Sequence, residues 1–150
     1  MQNLNLPSFP IKLSADKQSL FDPIRRKYIV VTPEEWVRQH FINYLVEYLN
    51  YPLGLLKVEF GIKYNHLSKR PDILAHDREG KPLLLIECKS SDVKIKQTVF
   101  NQVAVYNKIL GSPLVVVTNG IQHFCWKQDV KTNKIDFLDD IPSFEDAILL

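Results

Sequence analysis

Residues 70–89 read Arg-Pro-Asp-Ile-Leu-Ala-His-Asp-Arg-Glu-Gly-Lys-Pro-Leu-Leu-Leu-Ile-Glu-Cys-Lys, and this segment carries the most specific pattern in the chain. Apolar runs flank the polar segment 77–81, and Gly80 within it can adopt the positive φ that hairpin turns require. The pattern therefore predicts a β-hairpin. A turn formed by residues 79–80 and a turn formed by residues 78–81 give the same strand register, so the pairing of the strands is predicted without choosing between them.

This register sets Asp72 opposite Glu87. Because side chains alternate between the two faces of a strand, Glu87 and Lys89 then share the face that carries Asp72. Directly opposed residues have Cβ atoms about 4.5–5.5 Å apart, a distance at which like charges are destabilising. A divalent cation held by the two carboxylates would account for the placement. The alternative is a solvated strand end at which Lys89 offsets the two acids, and the spacing alone fits both interpretations.

The size and charge of the chain limit the classes of function. Its 150 residues suffice for one domain with its own core, and 45% hydrophobic with 24% charged residues is ordinary for a globular protein. A net charge of +2 indicates neither a basic nucleic-acid-binding arm nor an acidic tail. Any phosphate binding must therefore be local. The candidate basic residues are Arg25-Arg26-Lys27, Lys63, Lys69-Arg70, Lys89, Lys94 and Lys96.

The cysteines and the lengths of the apolar runs indicate the cellular compartment of the protein. Cys88 and Cys125 lie in predicted strands without the spacing of a metal site, which favours reduced thiols over a disulfide. The first residues lack the basic start and apolar core of a signal peptide. Every apolar run is shorter than the ~20 residues that a membrane span needs. These features predict a soluble, cytoplasmic protein that does not bind a membrane.

Residues 1–31 are predicted to be an N-terminal extension. Segments 9–13 and 27–31 are typical of short strands that pair across residues 19–23. The prolines of this region favour edge positions over central ones. The extension is either a ribbon laid over the core or an arm that binds a partner.

A helix start follows at Thr32-Pro33-Glu34-Glu35. The threonine can cap the helix, the proline suits the first helical position, and Glu35 can complete a capping box. Apolar residues at helical spacing continue the helix toward Asn50. Residues 55–64 alternate well enough for a strand, so this strand and the hairpin together predict a three-stranded antiparallel meander.

A second helix is predicted from Gln97 to a stop at Gly111. Gln102 and Tyr106 lie one turn apart on it and therefore share a face. A helix packed beside the strand that ends at Lys89 would bring this face toward the charged cluster. Tyr106 also belongs to the apolar stripe of the helix, so plain packing is the alternative role for its ring.

Strands are predicted after this helix. Residues 113–118 are apolar throughout, which is typical of a buried strand running parallel to a neighbour. Asn119-Gly120 predicts a two-residue hairpin turn into an antiparallel strand at 121–127. An edge strand at 135–138 and a short last helix, capped at Ser143 and ending at Leu150, complete the chain.

Pro71-Asp72, followed by Glu87-Cys88-Lys89 after a hydrophobic run, resembles the motif of the PD-(D/E)XK nuclease superfamily. The surrounding chain resembles the nuclease domain at the N terminus of the restriction (R) subunit of type I restriction enzymes. Pro33-Glu34-Glu35-Trp36 and Thr118-Asn119-Gly120 are also similar to the pattern of that domain. The resemblance covers about residues 20–127.

The resemblance implies an α/β fold with a restriction-endonuclease-like αβββαβ core, in which a mixed sheet is flanked by helices. The predicted order of one helix, three strands, one helix and two strands matches this core. Residues 1–31 would form an extension of edge strands, and residues 32–150 would form the PD-(D/E)XK nuclease-like domain, within a single domain overall.

The function that the resemblance implies is metal-dependent hydrolysis of phosphodiester bonds in DNA, leaving a 5′-phosphate. Asp72 and Glu87 would hold Mg²⁺, for which Mn²⁺ can substitute, with the backbone carbonyl of Cys88 as a third ligand. Lys89 would orient the attacking water and offset charge on the phosphate. These residues are the predicted catalytic and metal-binding set.

The resemblance implies roles in the site for four further residues. Glu35 would add a metal ligand, with the capping box as the alternative. Gln102 would act in catalysis by holding water or phosphate. Gln102, Tyr106, Lys89 and Arg70 would contact the nucleic acid.

One departure from the type I R subunit changes the expectation. The 150 residues contain no Gly-x-x-x-x-Gly-Lys-Ser/Thr segment, so they would act without an ATP-driven motor of their own. The expected partners are DNA and either a second copy of the chain or helicase and restriction subunits. The alternative function is a catalytically silent module that binds DNA or assembles a restriction or repair complex, with weak and salt-sensitive binding.

Overall fold

The computed structural model describes residues 3–58 and 71–150, which contain one large sheet and a separate two-stranded ribbon. The large sheet has the strand order β3-β4-β5-β6-β7-β8. The elements in chain order are β1 (Ser19–Asp22), β2 (Lys27–Val30), α1 (Pro33–Glu47), a 3₁₀ turn (Leu53–Leu55), β3 (Leu56–Val58), β4 (Ile73–His76), β5 (Pro82–Cys88), α2 (Gln97–Leu110), β6 (Leu114–Thr118), β7 (His123–Gln128), β8 (Ile135–Leu138) and α3 (Phe144–Leu149).

The order of α1, three strands, α2 and β6 confirms the predicted αβββαβ core. β3, β4 and β5 form the predicted antiparallel meander. β6 enters parallel to β5 after the α2 crossover, and β7 and β8 return antiparallel. The sheet is therefore mixed, as predicted. None of the helices in the described ranges is both long and apolar enough to cross a membrane.

The central hairpin keeps the predicted register at the end that carries Asp72 and Glu87. Ile73 pairs with Ile86, and extending this register by one residue sets Asp72 opposite Glu87. Both predicted turns are wrong, because the register shifts between Ala75 and His76 and a longer loop closes the hairpin. The bulge compensates for the longer loop, so the pairing near Asp72 is unchanged.

The loop of this hairpin is built by Asp77. Its backbone amide donates to the carbonyl of Lys81 at 2.8 Å, and its Oδ1 accepts hydrogen bonds from the amides of Glu79 and Lys81, both at 2.9 Å. Gly80 takes a φ of +83°. An aspartate that accepts from the amides beyond it and a glycine at positive φ favour this loop over the turns predicted from periodicity.

The two faces of the sheet bury two separate cores. Alternating residues of the strands pack on one side against α1 and α3, and on the other side against α2. Leu84, Ile86 and Cys88 of β5 face α1, whereas Leu85 faces α2. Glu87 follows Leu85 by two positions and therefore points toward α2.

The helix ends follow the predicted capping chemistry. Thr32 Oγ1 accepts a hydrogen bond from the amide of Glu35 at 3.0 Å, which satisfies an otherwise unpaired amide of the first turn of α1. Asn50 takes a left-handed φ of +61° shortly after this helix ends. Gly111, with a φ of +73°, ends α2, and Ser143 Oγ caps α3. Each of these predictions is confirmed to within a few residues.

The N-terminal extension differs from its prediction. Residues 9–13 do not form a strand, and Leu13 makes only an isolated bridge to Leu20. Residues 19–22, predicted to lie between the strands, form β1 and pair with β2. The side chain of Asp22 determines the position of the turn between the two strands. Its Oδ1 accepts hydrogen bonds from the amides of Ile24 and Arg25, which places the turn at residues 23–26.

Asn119-Gly120 also builds a different turn from the one predicted. Thr118 pairs with His123, so residues 119–122 lie in the connection and β7 begins later than the predicted residue 121. Asn119 Oδ1 accepts from the amides of Ile121 and Gln122, at 2.9 and 2.8 Å. The asparagine side chain thus makes a longer turn than Asn-Gly alone would make. β3 begins within the predicted segment 55–64, whose later residues lie outside the described ranges.

Gly120 couples this turn to the N-terminal segment, and we expect Gly120→Ala to lower the free energy of unfolding more than Gly80→Ala does. Both glycines have positive φ, so each substitution should cost about 1–2 kcal/mol of backbone strain. An added Cβ at Gly120 would also meet Leu4 Cδ2 at 2.8 Å and Val37 Cγ2 at 3.1 Å, whereas nothing lies within 4 Å at Gly80. The overpacking should add about 1–3 kcal/mol. Urea denaturation of both variants checks the difference, and equal losses would contradict it.

Candidate functional site

The predicted charged residues meet where β4 begins and β5 ends. Asp72 directly precedes β4, Glu87 lies in β5 and Lys89 follows it. Asp72 and Glu87 are only 8% and 3% exposed. Lys89 Nζ lies 3.5 Å from Glu87 Oε2. Two buried carboxylates and an ammonium group thus share one end of the hairpin, as the register predicts.

Asp72 is held by two strong donors. Its Oδ2 accepts a hydrogen bond from the amide of Cys88 at 2.7 Å, and its Oδ1 accepts from Arg38 Nη2 at 2.7 Å. The first bond joins Asp72 to the backbone of β5 beside Glu87. The second joins it to α1. Both bonds are charge-assisted, and they hold the orientation of the carboxylate.

Arg38 is the centre of a buried ionic network. Its Nη1 donates to Glu35 Oε1 at 2.6 Å, and its Nη2 bonds to Asp72 and lies 3.5 Å from Glu34 Oε1. Burial alone would lower the pKa of Arg38, but the charges of Asp72 and Glu35 outweigh burial and raise the pKa above its ordinary value. Arg38 therefore stays charged and neutralises acids from two elements.

Glu35 has a role in this network that the sequence does not reveal. Its Oε1 accepts from Arg25 Nη2 at 2.7 Å as well as from Arg38, and its Oε2 accepts from Gln39 Nε2 at 3.1 Å. Within the described residues, the side chain therefore bonds to these three donors and does not complete the capping box. Glu35 joins the turn after β1 to α1.

Glu34 is the acid that sequence reasoning overlooked. Its side chain is half-exposed and lies beside Asp72 and Lys89. The pKa of Glu34 is raised, first by partial burial and then by the nearby charge of Asp72, while Arg38 and Lys89 oppose the rise. The signal was available, because Glu34 and Arg38 are four apart and so occupy one face of α1.

Tyr106 lies across the sheet from α1. It is 3% exposed and packs with Val103 of α2 in the second core. The pKa of Tyr106 is raised well above its ordinary value, first by burial and then by the charges of Glu87 and Asp72. The ring therefore packs in the core, as one alternative predicts, and its hydroxyl lies toward Glu87; its contact with nucleic acid stays a prediction.

The structure gives less information about the roles of three other predicted site residues. Gln102 is exposed on α2, and the described part of the chain offers it no hydrogen-bond partner. Arg70 lies outside the described residues. Cys88 lies between Glu87 of β5 and Lys89, which follows the strand. Its thiol is buried toward α1, and burial chiefly raises the pKa of that thiol. Its backbone carbonyl stays a predicted ligand.

The donor set suits a hard cation, although no group of three or more Asp, Glu, His or Cys side chains in residues 3–58 and 71–150 is arranged as a metal centre. Arg38 Nη2 is bonded to Oδ1 of Asp72, and the amide of Cys88 is bonded to Oδ2. Carboxylates of Glu34, Asp72 and Glu87 are the oxygen ligands that Mg²⁺ prefers. Burial raises the pKa of Glu34 most and the charge of Asp72 raises it further, and a cation between the two carboxylates would relieve their repulsion.

Comparisons with known proteins identify the family. Residues 33–142 match the family model described as type I restriction enzyme R protein N terminus (HSDR_N). Among solved structures, the chain is similar to the fragment structure of a protein assigned as an HsdR subunit of a type I restriction enzyme from Vibrio vulnificus YJ016, with 23% sequence identity and a TM-score of 0.41. That match covers 63% of this chain and 18% of the other. No curated protein matches the sequence.

Proposed function

Because this chain belongs to the family of type I restriction enzyme R protein N-terminal domains, we propose that it is a metal-dependent nuclease that hydrolyses phosphodiester bonds in DNA. One observation carries the proposal: Asp72 and Glu87 lie on facing segments of the central hairpin with Lys89 Nζ 3.5 Å from Glu87. Arg38 and Lys89 pair with Asp72 and Glu87, and the carboxylate of Glu34 adds a third acid to these two cations. The chain spans 18% of the related HsdR fragment, so the activities of a whole R protein are not transferred to it.

The following residues of the chain would hold the metal. Asp72 and Glu87 hold the metal, with the carbonyl of Cys88 and the carboxylate of Glu34 as further ligands. Glu34 replaces Glu35, for which the resemblance implies a ligand role, because Glu35 is bonded to two arginines and Gln39. Mg²⁺ or Mn²⁺ supplies the positive charge that activates water and neutralises the phosphate.

Lys89 and the residues of α2 would complete the site. Lys89 orients the attacking water and offsets phosphate charge, since its side chain is 25% exposed and its ammonium lies 3.5 Å from Glu87 Oε2. Tyr106 keeps Glu87 in place from the second core. Gln102, exposed on the same face of α2, holds water or phosphate at the DNA side. DNA is the proposed substrate.

Arg38 would have a changing role. In the network it neutralises Asp72 through Oδ1. When Asp72 holds a cation, Arg38 would remain bonded to Glu35, which accepts a hydrogen bond from Nη1 of Arg38. The partners that the family implies, a second copy or helicase and restriction subunits, would bring the DNA into the site.

A second candidate function is a catalytically silent DNA-binding or assembly module. One observation favours it: both oxygens of Asp72 already have donors, Arg38 and the amide of Cys88. A site of this kind could keep its fold without a metal. DNA binding would then be insensitive to chelators and would weaken steeply with salt.

Calorimetry with Mn²⁺ separates the two functions. We expect the wild type to bind Mn²⁺, and Glu34→Gln to weaken binding by about tenfold. Glu35→Gln is the matched control, because it removes the neighbouring carboxylate charge from the Arg25–Arg38 network rather than from Asp72. It should retain Mn²⁺ affinity but lower the free energy of unfolding by about 1–3 kcal/mol.

Two results would contradict the nuclease proposal or the assignment of Glu34 as a ligand. A wild-type protein that binds no Mn²⁺ would support the silent module and reject the nuclease. Full Mn²⁺ affinity in Glu34→Gln, with reduced affinity in Glu35→Gln, would return the ligand role to Glu35.

A further inference from the structure

The strand β8 forms one edge of the large sheet. It pairs with β7 on one side, and in residues 3–58 and 71–150 no strand is hydrogen-bonded to its other side. Two of its apolar side chains are open to solvent, since Phe137 is 56% exposed and Ile135 is 38% exposed. An edge with unpaired backbone groups and exposed apolar side chains is a surface to which a further strand can add.

The hydrogen-bond pattern indicates which residues present their backbone to the open edge. The amide of Asp129 donates to the carbonyl of Lys134 at 2.9 Å, in continuation of the β7–β8 register. Gln128, the last residue of β7, turns its amide the other way and donates at 2.9 Å to the segment before β6. Because these two orientations alternate along an antiparallel ladder, the N–H and C=O groups of Ile135 and Phe137 point away from β7.

The ring of Phe137 belongs to an aromatic cluster on the α2 face of the sheet. Its centroid lies 5.6 Å from that of Phe100 and 5.6 Å from that of Trp126. Phe100 also contacts Phe124, with centroids 5.1 Å apart. Trp126 is fully buried, so Phe137 forms the open rim of the cluster. A second aromatic ring laid beside Phe137 would extend the cluster and cover this rim.

The charges around β8 have a self-complementary order. Lys131 and Lys134 precede the strand, and Asp139 and Asp140 follow it. Two copies of β8 that pair antiparallel would therefore place the lysines of each copy near the aspartates of the other. Opposite charges at facing positions stabilise a pair of strands, whereas like charges destabilise it. This order makes a second copy of the chain the partner that fits the edge.

The charges also favour one register for the two copies. A two-fold axis through the middle of β8 passes through Asp136 or Phe137, because the strand is four residues long. An axis at Asp136 would set two carboxylates directly opposite each other, which is destabilising. An axis at Phe137 sets the two rings opposite each other and Asp136 opposite Leu138 of the second copy. The second register joins the two aromatic clusters without opposing like charges.

We propose that two copies of this chain associate through β8, antiparallel and centred on Phe137, to form one continuous sheet. The contact adds a strand edge and an aromatic pair, so the dimer is weak and depends on protein concentration. The two copies of β5 run in opposite directions in the joint sheet, which places the two carboxylate sites at its opposite ends. The association therefore does not rest on the proposed nuclease function.

Sedimentation equilibrium in EDTA and a reducing agent, from about 10 µM to about 1 mM protein, measures the association. We expect the wild type to shift from monomer to dimer over this range. Phe137→Lys should weaken dimerisation by about tenfold or more, because two ammonium groups then replace the facing rings. Ile121→Lys is the matched control, since it makes the same kind of change at an exposed position in the β6–β7 connection. It should dimerise as the wild type does.

Cysteine cross-linking tests the register. Phe137→Cys should form a disulfide between two copies with oxidised glutathione, because the axis brings the two Cα atoms within about 5.5 Å of each other. Ile135→Cys is the control on the same edge, since its two copies would lie about 13 Å apart. The natural cysteines, Cys88 and Cys125, are buried and should not cross-link.

Exchanged charges separate pairing through β8 from non-specific association. Lys134→Glu alone and Asp140→Lys alone should each dimerise more weakly than the wild type, because like charges then face each other. An equimolar mixture of the two variants should restore dimerisation, since each glutamate then faces a lysine and each remaining lysine faces an aspartate.

Three results would overturn the proposal. They are a wild type that stays monomeric at about 1 mM, association of Phe137→Lys as strong as that of Ile121→Lys, and cross-linking of Ile135→Cys as fast as that of Phe137→Cys. Thermal unfolding of each variant checks the fold. If Phe137→Lys fails to fold, the two cysteine variants and the mixture of charge variants decide the question.

Discussion

Replacing Lys89 with methionine should lower the rate of the proposed metal-dependent DNA cleavage by about 100-fold or more, because the side chain that is proposed to orient water and offset phosphate charge is lost. The methionine keeps the length of the side chain without its ammonium group. Lys89 is not a proposed metal ligand, so Mn²⁺ binding should persist. Asp72→Asn and Glu87→Gln should lose cleavage and metal binding together.

Conversion of supercoiled plasmid to nicked and linear forms, with Mg²⁺ or Mn²⁺ and with EDTA, measures the rate. Lys81→Met provides the control within the same hairpin, because Lys81 is 74% exposed in the turn and pairs only loosely with Glu79 at 3.4 Å. It should cleave at the wild-type rate. Undiminished cleavage by the Asp72, Glu87 and Lys89 variants would show that the catalytic site lies elsewhere.

Arg38→Ala should have the largest effect on stability, lowering the free energy of unfolding by about 3–5 kcal/mol. The substitution leaves the carboxylates of Glu35 and Asp72 buried without the guanidinium that bonds to both. Removing one partner of a buried ionic network leaves uncompensated charge, and this costs more than the network gains when intact.

Urea denaturation of Arg38→Ala beside Arg78→Ala checks this prediction. Arg78 also bonds to a carboxylate, that of Glu145 at 2.6 Å, but the two side chains are 61% and 65% exposed. Its loss should cost at most about 1 kcal/mol, including its contact with the Phe144 ring. Equal losses for both arginines would mean that the buried network contributes no more than a surface pair.

A double-substitution cycle between Arg38→Ala and Asp72→Asn localises the effect. Removing the charge of Asp72 should recover part of the loss caused by Arg38→Ala, giving a coupling of about 1–3 kcal/mol between the two sites. Strictly additive losses would indicate that the 2.7 Å bond between the two residues contributes little to stability.

The elements that depend on near neighbours could be predicted from the sequence. The caps at Thr32 and Ser143 and the left-handed glycine at the end of α2 are confirmed, because each depends on residues within one helical turn. The meeting of Asp72, Glu87 and Lys89 was also predictable. Side-chain alternation along two strands joined by a short loop leaves few registers that bury the apolar residues.

Turn lengths and the first strand were predicted wrongly for a local reason. The side chains of Asp22, Asp77 and Asn119 accept hydrogen bonds from nearby amides and lengthen or move the turns. These bonds compete with the turns that glycine placement alone predicts, and periodicity contains no information about them.

The identity of the α1 acid beside Asp72 was decided by the tertiary structure alone. Glu34 and Glu35 are adjacent and chemically alike, so the sequence marks both equally. Arg25 comes from the ribbon, and both Arg25 and Arg38 hydrogen-bond to Glu35. Glu34 is left beside Asp72, which lies 34 residues from Arg38 in the sequence. Periodicity and capping determine single elements, whereas ionic bonds between distant elements form only after packing has excluded water from around the charges.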